Sequence, residues 1–107
     1  MQFDNVFTDS SQSIKMAAVF SKSLTPAALA ATVGMKEEAF AAIGAPADLR
    51  TTDLVFVTPP PGATQANCGV VGARVTAAQT ITLIFANLTA AANVPTAGVY
   101  LFLVVRP

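Results

Sequence analysis

Apolar and polar positions alternate with a period of two through most of the chain after residue 14, as half-buried β-strands require. Ile14, Met16, Ala18 and Phe20 alternate with Lys15, Ala17 and Val19. Ser23 to Ala31 reads as a loop opened by Thr25-Pro26. Its Ala-Ala-Leu-Ala-Ala run has helical propensity and leaves room for one short helix within residues 24–42. Residues 33–43 fit neither period cleanly. The run from Met35 to Ala41 suits a helix by propensity, yet Val33, Met35, Glu37, Ala39 and Ala41 share one strand face and Lys36, Glu38 and Phe40 the other. The segment lies between turn signals in a chain otherwise made of strands, so it is assigned to strand.

The second half is more regular. Asp53 to Thr58 is a short apolar strand stopped by Pro59-Pro60-Pro61-Gly62, since proline cannot donate to a sheet ladder. Gly69 to Thr76 places Val71, Ala73 and Val75 on one face. A tight connection at Ala77-Ala78-Gln79 leads into Thr80 to Ala86, where Ile81, Leu83 and Phe85 alternate with Thr80, Thr82 and Ile84. These two strands read as a hairpin. Val99 to Val105 is the last strand. It is apolar on both faces: Val99, Leu101, Leu103 and Val105 on one, Tyr100, Phe102 and Val104 on the other. A strand of an antiparallel sandwich normally keeps one polar face for water. A strand without one needs cover twice, and a neighbouring subunit is the simplest second cover. The expected fold is all-β, an antiparallel β-sandwich of jelly-roll type over residues 14–107, preceded by an arm over residues 1–13.

Charge strengthens this reading. Only 11 % of the 107 residues are charged, against roughly 25 % in an ordinary domain, and six basic residues cancel six acidic ones. A free monomer normally keeps its net charge off zero, because repulsion between copies opposes self-association. A membrane is not the expected sink for the apolar surface. The longest unbroken apolar run, Val99 to Val105, is far short of the roughly 20 residues of a spanning helix. Met1-Gln2-Phe3-Asp4 opens no basic-then-apolar pattern, so no secretory signal is expected. With no basic cluster, nucleic-acid binding is not expected either.

The candidate chemistry is thin. The chain has no histidine, which removes the usual general base and the usual metal ligand. Gly69-Val70-Val71-Gly72 lacks the spacing of a phosphate loop. Glu37 and Glu38 point to opposite faces of a strand and cannot work as a pair. Asp48 and Asp53 bracket Arg50, which predicts a local ion pair. Cys68 has no second thiol to pair with and is expected to be half-buried. Asn87-Leu88-Thr89 is read as a turn stabilised by the Asn side chain. No catalytic residue, cofactor site or metal site is expected, and the chain is read as non-enzymatic. The candidate residues are instead interface ones. In the arm, Phe3, Val6 and Phe7 could dock on a neighbour. Arg74, in an apolar strand, either covers apolar surface with its stem or clamps a carboxylate or carbonyl across a subunit interface. Tyr100, Phe102 and Val104 supply one face of the last strand.

The stretch from Leu49 to Arg106 carries a wider pattern. Asp53-Leu54-Val55-Phe56-Val57 is followed by a proline cluster, then by Gly72-Ala73-Arg74-Val75-Thr76-Ala77. A Thr/Ile alternation ends in Phe85-Ala86-Asn87-Leu88-Thr89-Ala90, and Pro95-Thr96-Ala97-Gly98-Val99-Tyr100 follows. This pattern resembles a group of small virion structural proteins of tailed bacteriophages, of the head decoration or cement type. It covers a little over half the chain; the first half matches only loosely. The resemblance implies a viral structural protein on the capsid exterior: a homo-oligomer, with a trimer favoured, that clasps the lattice of the major capsid protein. The same sandwich could serve as a tail, baseplate or fibre module. The resemblance carries over no catalytic residue and no cofactor.

Overall fold

The computed structural model describes residues 15–30, 34–46, 48–61 and 68–107. The arm of residues 1–13, with Phe3, Val6 and Phe7, lies outside the described residues. The described part is all-β, with six strands: β1 (Met16–Leu24), β2 (Met35–Phe40), β3 (Leu54–Thr58), β4 (Cys68–Ala77), β5 (Thr80–Asn87) and β6 (Gly98–Arg106). They form two three-stranded antiparallel sheets, ordered β1-β6-β3 and β2-β5-β4. The first strand thus lies beside the last and the last beside the third, while the second lies beside the fifth and the fifth beside the fourth. This is the winding of an eight-stranded jelly roll without the edge strand beside β3 in one sheet and beside β4 in the other, and the sandwich expected from the alternation is present.

The short helix allowed for residues 24–42 is absent among the described residues. The ambiguous segment is strand β2, paired along its length with β5 from Met35 opposite Ala86 to Phe40 opposite Ile81. Tertiary pairing outweighs the helical propensity of the Met-Lys-Glu-Glu-Ala run. The hairpin of β4 and β5 is as predicted, with Ala78 and Gln79 at its tip. Gln79 adopts a left-handed φ of 51°. Its carbonyl accepts from Ile43 N–H at 3.0 Å and its side-chain oxygen from Ala45 N–H at 3.0 Å, which ties the tip to the loop after β2.

One cluster of buried side chains draws on both sheets. Ile81, Leu83 and Phe85 of β5 meet Tyr100, Phe102 and Val104 of β6, with Leu24, Leu29, Ile43, Leu49 and Val75 around them. Phe20 stacks on Phe102 with ring centroids 5.2 Å apart, and Phe40 meets Phe85 edge-on. Such offset and edge-on contacts suit the ring quadrupoles.

The residues of the wider sequence pattern turn out to shape the backbone. Asn87 is buried; its Oδ1 accepts from Thr89 N–H and Oγ1, at 3.0 and 2.7 Å, and its Nδ2 donates to Ala91 O at 2.9 Å. It therefore holds the turn, as predicted. Gly98 has φ of 149°, and a Cβ there would stand 3.1 Å from Pro60 Cβ. Tyr100 is wholly buried, and its hydroxyl donates to Thr96 O at 2.8 Å. Cys68 is fully buried at the start of β4, a tighter position than half-buried, and burial raises its thiol pKa.

Candidate functional site

Tyr100, Phe102 and Val104 are 0 %, 1 % and 0 % exposed, so the proposed interface on that side of β6 is corrected: they belong to the chain's own core. Each strand face is one parity of residues, and both parities of this strand are apolar. The larger, ring-bearing parity fills the core, which turns Val99, Leu101 and Leu103 outward.

The register places these three in a continuous surface. Leu103 stands opposite Val19 on β1 and Phe56 on β3; Val105 stands opposite Ala17 and Leu54; Leu101 opposite Ser21 and Thr58; Val99 opposite Ser23. Seven of these side chains are large and apolar, and six of them, all but the half-buried Val105, are open to solvent. Exposure is 73 % for Val19, 51 % for Leu54, 58 % for Phe56 and 53 % for Val99. No outward position of the three strands carries a charge. Scattered exposed apolar residues are ordinary, whereas a contiguous charge-free sheet face marks an interaction site.

The outer face of the other sheet differs in kind. Glu37 on β2, opposite Ile84, and Arg74 on β4, opposite Thr82, reach toward each other diagonally across β5, with 3.8 Å between Arg74 Nη2 and Glu37 Oε1. Both side chains are more than half exposed, so the pair contributes roughly 0–1 kcal/mol. Thr76 and Thr82 share a hydroxyl hydrogen bond of 2.8 Å on the same face. Glu38, on the opposite parity from Glu37, accepts from Ala27 N–H at 2.9 Å.

The predicted ion pair at Asp48, Arg50 and Asp53 is also corrected. Asp53 binds Arg106 in a two-pronged contact, Nε to Oδ1 at 2.8 Å and Nη2 to Oδ2 at 2.9 Å. Arg50 meets Asp53 through its backbone, its N–H donating to Oδ2 and its carbonyl accepting from the Asp53 N–H, both at 2.9 Å. Asp48 contributes its carbonyl oxygen to Arg106 Nη2 at 2.6 Å. Because Leu54 pairs with Val105, Asp53 and Arg106 are the next residues in register at the end of the sheet. The pair therefore fixes the alignment of β3 on β6. The Asp53 side chain is wholly buried. The Arg106 contact holds its carboxyl below the usual carboxylate range, against the opposing effect of burial, with a further backbone hydrogen bond from Arg50.

A cleft of about 290 Å³ opens between β3 and β4, lined by residues 55–57, Pro59 and residues 70–73. The lining has no titratable side chain, so it offers apolar contact and no acid–base chemistry. Phe56 belongs both to this cleft and to the apolar face. Among the described residues no group of three or more His, Cys, Asp and Glu side chains could hold a metal ion. Arg74 and the face of Val99, Leu101 and Leu103 were visible in the sequence; Val19, Leu54 and Phe56 join them only through strand order. No family model, no curated protein and no solved structure matches this chain.

Proposed function

We propose that this chain is a structural subunit of a tailed-phage virion, a head decoration or cement protein that acts by burial rather than by catalysis. The observation that carries the reading is the charge-free apolar face of β1, β6 and β3. The resemblance of residues 49–106 to small virion proteins supplies the setting, and the jelly-roll winding is compatible with it, although fold by itself does not imply function.

The mechanism is passive. Burying a Val, Leu or Phe side chain completely contributes roughly 1.5–3 kcal/mol, so six that are about half covered already offer on the order of 6 kcal/mol per copy. Association costs about 4–15 kcal/mol, so a single face is marginal against a partner that brings no apolar surface of its own. Many copies arrayed on a symmetric shell, each cross-linking its neighbours, turn a marginal contact into a collective one.

Antibody against the chain, bound to purified particles of the virus that encodes it and viewed by electron microscopy, tests the reading. Label spread over the head shell is the expected result. Label confined to the tail would replace the decoration role with that of a tail module. Particles without the protein would reject the virion assignment.

A further inference from the structure

We propose that the apolar face of β1, β6 and β3 packs against the same face of a second copy, so that the chain's building block is a face-to-face pair. The inference rests on the reading of the chain as a subunit buried in an assembly, and names the partner of that face.

Three observations select a second copy as the occupant. The first is chemistry: the outward positions carry apolar side chains flanked by Ser21, Ser23 and Thr58, with no charge and little capacity for directed hydrogen bonds. Such a face has nothing with which to recognise a charged or polar partner, and gains most from a surface as apolar as itself. Another copy brings that surface. The second is charge: the formal net charge is zero, so two copies meet without the repulsion that normally separates like chains. The charged side chains of the described strands lie away from this face. Arg74 and Glu37 are on the other sheet, as are Lys36 and Glu38 on its edge strand β2, Lys22 of β1 has the opposite parity, paired with Tyr100, and Arg106 is turned to Asp53.

The third is area. With strands about 4.8 Å apart and a rise of about 3.3 Å per residue, the face is roughly 14 Å wide and runs about 30 Å along β1 and β6 but about 16 Å along the shorter β3. That is about 400 Å² in projection and more in accessible surface, so two copies together reach the roughly 1,000 Å² that a specific interface needs. Twisted sheets stack face to face at about 10 Å throughout sandwich proteins, so the pairing asks for no new geometry. Its symmetry is two-fold, with Leu103, central on the central strand, near the axis. A two-fold pair differs from the trimer expected from the sequence pattern.

Light scattering on the full chain across a concentration series tests the proposal. The expected mass is twice the 11.0 kDa of one chain, or an even multiple of it. Leu103→Lys and Phe56→Lys are each expected to weaken the pair by about 30-fold or more, as central interface anchors do, while Arg74→Ala on the other sheet leaves it unchanged. Circular dichroism checks that the variants fold. A wild-type mass of one chain at the highest concentration would overturn the proposal, as would a trimer, or a pair indifferent to both lysine variants. A monomer that is nevertheless found on particles would leave the virion reading standing and assign the face to a different protein.

Discussion

Replacing Phe102 with alanine is expected to destabilise the chain by about 3–5 kcal/mol, the usual cost of emptying a large aromatic site in a core. Replacing Leu101, its neighbour, is expected to cost under about 1 kcal/mol, as for an exposed position. The two side chains lie one residue apart on β6. Phe102 is 1 % exposed, stacked on Phe20 and opposite Val57, whereas Leu101 is 50 % exposed opposite Ser21 and Thr58. Denaturant unfolding of both variants, at protein concentrations low enough to keep association out of the measurement, gives the contrast. Equal losses would mean that the two faces of β6 have been assigned the wrong way round.

The second large effect is expected at Asp53. Asp53→Ala leaves the Arg106 guanidinium, whose side chain is 15 % exposed, without its carboxylate partner and leaves the Arg50 N–H without its acceptor. Removing one member of such a pair costs about 3 kcal/mol or more. The pH dependence follows from the direction of the shift. Asp53 titrates lower in the folded chain than in the unfolded one, chiefly because Arg106 stabilises the ionised form. Its contribution is complete above the ordinary carboxylate value of about 3.9. It falls as the pH drops below that value and is gone once the pH passes the lower, folded-state pKa, because the unfolded chain then binds the proton first. Asp53→Asn is expected to flatten the stability curve in that acid window while lowering stability near neutrality. A wild-type curve that Asp53→Asn leaves unaltered in shape would show that the pair does not govern acid unfolding.

How far the sequence reaches can be seen at these two sites. The hairpin of β4 and β5 is legible because Ile81, Leu83 and Phe85 alternate with Thr80, Thr82 and Ile84 after a tight connection, and that signal is local. The turn at Asn87 is legible for the same reason, since its partners Thr89 and Ala91 are close in the chain. The partner of Asp53 is 53 residues away, and Arg50 is the nearer cation, so local reasoning selects the wrong arginine. The unusual final strand is legible as doubly apolar, but periodicity is silent on which parity faces inward. Ring size decides it: Tyr100 and Phe102 fill a core that Val99 and Leu101 would leave partly empty. Val19 and Phe56 flank Leu103 only because β6 lies between β1 and β3, a matter of strand order that no local pattern specifies. The residues of the wider pattern, Asn87, Gly98 and Tyr100, shape turns and close backbone contacts, so the pattern reports on backbone geometry and carries no chemistry.

The central claim is that the apolar face of β1, β6 and β3 is covered when the protein is assembled. Leu101→Cys provides a direct probe, because the one native thiol, Cys68, is buried and its pKa is raised, which slows its reaction. The labelling rate of this thiol in the assembled protein is to be compared with that of Ala39→Cys, at an exposed position on the outer face of the other sheet. The account predicts that Leu101→Cys reacts much more slowly than Ala39→Cys in the assembly, and that the difference disappears on dilution to the dissociated chain. Equal, rapid labelling of both positions in the assembled state would contradict it.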